Sequence, residues 1–348
     1  MATNPTNPAD HARASETTGA ADVLPSRVLL ATDGSPEAGH AARTAARLCS
    51  EAGSELHLVH VRSHVYRLYA DSGALTEEAM KSLEENARDL LAEQEALIRS
   101  EGAEVARTHL ETGHPDERIV ELAERLDVGL VVLGSRGMGR LKRMLVGSVA
   151  EGVAHRCRRP VLVVRGRLAS WPPSRIVLAD DGSEPARGAG ELAAAIGGLS
   201  GAKVILVRAY PELPHADEAE RLLDARMVDD ELRRQQHLLE DGARRLEGLL
   251  GKRPQVRIAV GDAAEVVVDA AEAETIMDAG NDDEKEQMGT VIAVGSRGLG
   301  PVDRLRLGSV SARVLSVARG PVLIYPAPVQ ESSGIHTDDA ERGNRDRA

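Results

Sequence analysis

Two aspartates and two glycine-rich loops are the residues of this sequence whose types and spacing could do chemistry. Asp33 and Asp181 each close a short apolar run, V-L-L-A-T-D-G-S at 28–35 and I-V-L-A-D-D-G-S at 176–183. An acid before Gly-Ser can simply turn the chain, with Ser35 as helix N-cap and Pro36 in the first turn. Alternatively it ends a parallel strand, where open α/β sheets bind ligands. There a carboxylate would accept hydrogen bonds from a ribose hydroxyl and would keep phosphate away.

The loops read Gly134-x2-Gly137-x9-Gly147-Ser148 and Gly295-x2-Gly298-x9-Gly308-Ser309. Glycine lets backbone N–H groups approach a phosphate with nothing in the way. Gly147-Ser148 and Gly308-Ser309 open a helix, whose free N–H groups and dipole favour an anion. Ser148-Val149-Ala150-Glu151 also reads as a capping box, so Ser148 could merely start its helix. The second copy, Ser309-Val310-Ser311-Ala312, keeps the serine and lacks the glutamate. Arg136 and Arg297, between the first two glycines of each loop, are phosphate candidates. Arg140, Lys142 and Arg143 add charge to the first loop; Arg304 and Arg306, against Asp303, add less to the second. Such charges on a solvated face are also ordinary, Arg143 and Arg306 above all.

Other chemistry is poorly supported. No Walker A loop and no G-x-S-x-G elbow occurs. His57 and His60 read as strand histidines rather than metal ligands, because no Cys or carboxylate completes a set. His114 and His155 have no evident partners in sequence, and no nucleophile–base pair can be argued from spacing. Cys49 and Cys157 stand apart, which suits a reducing cytoplasm and gives no zinc pattern.

The elements that must position these residues form a repeat. The strand motif recurs after 148 residues and the glycine loop after 161. The second unit is therefore longer by 13 residues, placed at 275–287, a polar, acidic segment expected to be a surface loop. Apolar runs at 28–31, 56–61, 105–110, 130–133 and 161–164 alternate with helical stretches, and 176–179, 204–207, 256–260, 291–294 and 322–324 repeat them. This predicts βαβ units and a parallel, doubly wound five-stranded sheet in each unit. The expected organisation is a disordered tail at 1–25, units at 26–165 and 175–326, a Pro-containing linker at 166–174 and a disordered tail at 327–348. A long loop is expected near 62–75, followed by a helix over 76–100. The chain has 348 residues, no Phe, one Trp and a net charge of −12. The cores must be aliphatic, and the acidity argues against a nucleic-acid partner. No apolar run is long enough for a membrane span, and no secretory signal is visible.

These motifs resemble the universal stress protein family in a tandem form, over about 26–165 and 174–326. Both loops match the family pattern G-x2-G-x9-G-[ST]. The resemblance implies a Rossmann-like fold of the adenine nucleotide α-hydrolase type, with strand order 3-2-1-4-5 in each unit. It implies an ATP site in each, with or without magnesium. Asp33 would take ribose, Val61 would meet adenine, and Gly134, Gly137, Gly147, Ser148 and Val149 would hold ribose and phosphates. The second set is Asp181, Ala209, Gly295, Gly298, Gly308, Ser309 and Val310. The final strands, 160–165 and 321–325, would pair within the chain; a homodimer through another surface is left open. The function implied is a cytoplasmic, nucleotide-dependent stress-response regulator with an unidentified protein partner. A slow Mg-dependent ATPase or nucleotidyl-transfer enzyme is the alternative. Asp180 beside Asp181, and the less basic second loop, predict tighter binding at the first site.

Overall fold

The computed structural model describes residues 19–63, 76–137, 146–166, 171–211, 218–278, 289–298 and 307–328. Its strands are β1 (Arg27–Ala31), β2 (Glu55–Ser63), β3 (Val105–Gly113), β4 (Leu130–Gly134), β5 (Val161–Val164), β6 (Arg175–Ala179), β7 (Lys203–Tyr210), β8 (Gln255–Val260), β9 (Thr290–Gly295) and β10 (Val322–Tyr325). Its helices are α1 (Ala20–Val23), α2 (Pro36–Ala52), α3 (Glu77–Ser100), α4 (Pro115–Arg125), α5 (Ser148–Arg156), α6 (Glu184–Ser200), α7 (Glu218–Leu250), α8 (Ala263–Asp278) and α9 (Ser309–Val317).

All ten strands join in one sheet of order β3-β2-β1-β4-β5-β10-β9-β6-β7-β8. Each half has the order 3-2-1-4-5 and is parallel throughout. The halves meet where β5 and β10 pair antiparallel, Val161 against Ile324 and Val163 against Val322. Crossover helices cover both faces of a parallel sheet, so its central strands are apolar on both sides. Val28, Leu29 and Leu30 are all fully buried. Val28, Leu30, Leu56 and Leu58 share one core layer with Ala residues of α2 and with Leu91 and Ile98 of α3. Leu29, Ala31 and Val59 share the opposite layer with Ile119, Leu122 and Val153. Both layers run on into the second half through such residues as Leu178, Ala189, Val177 and Val207.

The helix that follows the first strand is built the same way twice. Ser35 accepts the Ala38 N–H at 3.2 Å, and α2 ends at Gly53 in the left-handed region, φ 69°. Ser183 accepts the Ala186 N–H at 3.3 Å, and α6 ends at Gly201, also φ 69°. Serine supplies the orphan N–H groups of a first turn with an acceptor, and glycine takes positive φ without steric cost.

Several expectations are corrected. The first tail ends early: Ala20–Val23 is helical, packs on α6 of the other half, and puts Val23 and Leu24 against the core. The acidic segment is not loop from its start, because α8 continues through Asp278. Residues 279–287 lie outside the described residues. Arg62 and Ser63 belong to β2 rather than to a loop. Within the expected linker, Trp171 is buried in the core layer, so this segment is partly a packing element. At the other end, Ala327 donates its N–H to Ser296 Oγ at 2.8 Å, which ties down the start of the expected second tail.

Candidate functional site

In each half the carboxyl ends of the first, second and fourth strands open into a cavity beside the helix that follows the glycine loop. The first cavity is about 660 Å3 and the second about 400 Å3. Every residue singled out in the first half lines the first cavity: Asp33, Val61, Gly134, Arg136, Gly137, Gly147, Ser148 and Val149. The second cavity likewise brings together Asp181, Ala209, Gly295, Arg297, Gly298, Gly308, Ser309 and Val310. Arg140, Lys142, Arg143, Asp303, Arg304 and Arg306 lie outside the described residues.

The aspartate turns the chain and also lies at the cavity, at the carboxyl end of its strand. Asp33 Oδ1 accepts the Ser35 N–H at 3.0 Å and so turns the chain into α2. Its Oδ2 lies against Gly137, where a Cβ would overlap it. Asp181 accepts from Ser183 N–H at 2.9 Å and faces Gly298 in the same manner. Ser35 and Ser183 complete the join, donating their hydroxyls to the carbonyls of Arg136 and Arg297 at 3.3 and 3.2 Å.

The glycines divide by role. Gly134 serves packing: its Cβ would sit 2.8 Å from the Glu37 carbonyl carbon and 2.9 Å from Ala38 N. Gly295 meets Pro185 and Ala186 in the same way. These positions let the fourth strand pass the first turn of α2 or α6, and phosphate is not needed to explain them. At Gly147 a Cβ would meet Ser135 O at 3.4 Å, Arg136 Cα at 3.5 Å and Gly137 N at 3.9 Å, all ordinary contacts. Packing alone therefore demands glycine less strictly here than at Gly134.

The capping-box reading of Ser148 does not hold. The N-cap is Gly147, which has no side chain to offer, and Ser148 is the first helical residue. Gly308 and Ser309 repeat this. The first-turn N–H groups of α5 and α9 therefore point toward their cavities without a side-chain cap. Next to them, Arg136 reaches Glu37 at 3.7 Å, yet its buried Nε has no hydrogen-bond partner among the described residues. The Nε of Arg297 is in the same condition. Ser135, fully buried, also keeps an unpartnered hydroxyl, whereas Ser296 is engaged by Ala327.

The far wall of the first cavity is apolar: Val59 and Val61 of β2 and Ile119 of α4. Val207 and Ala209 of β7, with Val267 of α8, take those places in the second. Ile119 and Val267 went unmarked at the level of sequence. Each lies one turn into the helix after the third strand of its half, a position that becomes meaningful only when the strand order is known.

The halves differ at one buried polar pair. In the first, His60 Nδ1 meets the Thr32 carbonyl at 2.8 Å. In the second, Arg208 Nε donates to the Asp180 carbonyl at 2.8 Å and its Nη2 pairs with the Asp180 carboxylate at 3.2 Å. Asp180 is thus a paired charge, not the surplus acid that the sequence suggested beside Asp181. His57 is not in the cavity; its Nδ1 lies 3.1 Å from Nε2 of His109 on β3, the rings stacked. Burial, and then His57, hold His109 below the usual 6.5.

Comparison with known proteins agrees with this architecture. The family model described as "Universal stress protein family" matches residues 25–165, 173–277 and 282–326. A universal stress protein of Mycolicibacterium smegmatis is 27% identical over 311 residues, 85% of this chain and 96% of that one. One from Methanocaldococcus jannaschii is 30% identical over 139 residues, 40% of this chain and 81% of its own length. The crystal structure of a universal stress protein from Archaeoglobus fulgidus superposes with a TM-score of 0.58 at 20% identity, over 86% of this chain and 98% of that one. With matches in both halves, the chain belongs to the universal stress protein family.

Proposed function

We propose that the protein binds ATP, alone or as its magnesium complex, in each of the two cavities, and acts as a cytoplasmic, nucleotide-dependent regulator of a stress response. The observation that carries this reading is the repeated arrangement: an uncapped helix N-terminus and an arginine Nε lacking a partner stand opposite an apolar wall, with a carboxylate between. A polyphosphate satisfies the N–H groups and the guanidinium. A base covers the apolar wall at Val61 or Ala209. The ribose then falls to Asp33 or Asp181, whose second oxygen faces the loop. Gly137 and Gly298 keep that oxygen accessible, and Gly147 with Ser148 and Val149, or Gly308 with Ser309 and Val310, receive phosphate.

No side chain is assigned to bond breaking. The protein would signal by being occupied or empty, to a partner that senses the rim. Denaturing the purified protein and chromatographing what it releases tests the ligand, together with ATP calorimetry. Absence of adenine nucleotide and of binding heat would overturn the reading. Magnesium-dependent turnover that Asp33→Ala abolishes would move it to a hydrolase.

A further inference from the structure

Arg165 immediately follows β5, at the carboxyl rim of the first half and away from the cavity lining. It is 5% exposed. Its guanidinium crosses into the second half: Nη2 donates to the Leu315 carbonyl at 2.8 Å and Nη1 to the Ala318 carbonyl. Those carbonyls belong to the end of α9, whose other end, Gly308-Ser309, opens into the second cavity. Because the joint strands are antiparallel, the rim of the first half lies beside the base of the second. The helix spans the distance between: nine residues at 1.5 Å each, about 13 Å.

We propose that Arg165 is a positioning residue for the second nucleotide site, holding from the first half the helix whose N-terminus receives phosphate. The proposal rests on the ATP reading above. A cation on the last carbonyls complements the negative end of a helix dipole and fixes the last turn. The planar fork presents its donors to two carbonyls in a fixed geometry, whereas a lysine offers a rotatable point charge on a flexible stem. A short helix fixed at its C-terminus presents its first N–H groups in one place, and an anion site depends on that preorganisation.

The arrangement is one-way. Val164 stands opposite Gly134 and Tyr325 opposite Gly295, so the counterpart of Arg165 is Pro326, which has no donor. The same residue also reports on the first site's neighbourhood. The Ser135 N–H bonds the Val164 carbonyl at 2.8 Å, and burial, with Arg136 next, brings the Arg165 guanidinium down to about 10.

The test uses the full chain in two backgrounds, Asp33→Ala to isolate the second site and Asp181→Ala to isolate the first. Arg165→Met should weaken ATP binding about fivefold at the second site and leave the first within about twofold. In nucleotide-free protein it should speed amide exchange in α9 and not in α5. Arg165→Lys should fall between. If Arg165→Met does not fold, Arg165→Lys is read alone, with a loss of about twofold confined to the second site. Unchanged second-site affinity in both variants, or equal losses at the two sites, would overturn the assignment while leaving the ATP reading intact. Absence of ATP binding in the wild type would overturn the ATP reading and this proposal together, and unchanged α9 exchange would overturn the helix-holding step by itself.

Discussion

Removing the guanidinium of Arg208 gives the sharpest test of how the second half is held together. Its side chain is 6% exposed and that of its partner Asp180 12%. Three interactions go at once: Nη2 to Asp180 Oδ1, Nε to the Asp180 carbonyl, and Nη1 to Gln235 Oε1 at 2.6 Å. Breaking a buried pair from one side leaves the other charge uncompensated, at a cost of about 3–5 kcal/mol. Asp180 keeps one acceptor role, to the Gly182 N–H at 2.7 Å, and some contact with water, so the lower end applies. Arg208→Met is therefore expected to destabilise by about 3 kcal/mol. The first half solves the same place with Thr32 and His60. The double variant Asp180→Thr/Arg208→His should consequently return to within about 1 kcal/mol of wild type, since both charges leave together. Urea unfolding followed by far-UV dichroism and by the fluorescence of the lone tryptophan, Trp171, would measure both. A cost below about 1 kcal/mol for Arg208→Met, or a double variant no better than the single, would refute the argument.

Gly134→Ala should cost about 1–3 kcal/mol by overpacking, because its Cβ meets backbone at 2.8 Å and backbone yields little; a thermal melt reads this directly. Gly147→Val should melt near wild type, since Ser135 O, Arg136 Cα and Gly137 N come no closer to its Cβ than 3.4 Å, yet it should lose ATP affinity at the first site by calorimetry. His109 is held below 6.5 by burial and then by His57, with Arg107 and Arg125 adding and Glu111 opposing. The unfolded chain therefore binds this proton more readily, so the contribution of His109 is complete above about 6.5 and is lost as pH falls through the depressed folded value. His109→Gln should flatten the stability profile as pH falls below about 6.5. Burial raises Cys49 to about 12 and Cys157 to about 11, so both thiols should resist alkylation at pH 8 until the protein is unfolded.

Much of the site was legible because it was written twice. One Asp-Gly-Ser or one spaced glycine loop has ordinary local explanations, and position alone could not choose among them. Repetition at fixed internal spacing, with Ser309 retained where the capping glutamate was lost, pointed beyond the helix start. What stayed hidden depended on three-dimensional adjacency. That Gly134 is required by the first turn of α2 follows from strand order and interlayer distance, which composition does not carry. Asp180 looked like a surplus negative charge because its partner, Arg208, comes 28 residues later on the neighbouring strand. Val23 and Leu24 were passed over within a polar segment, since their partner helix, α6, belongs to the other repeat.

The antiparallel seam between β5 and β10 fixes which way each cavity looks. It turns the second half end for end within the sheet, so the two rims open toward opposite edges of one slab. A flat surface laid on this molecule can touch one mouth only. Any receptor that reads both must span the sheet from one edge to the other, or come as two copies, one on each edge. Under the proposed function a receptor would meet the chain at one of two ends, and counting how many receptor molecules bind would measure how many ends are in use.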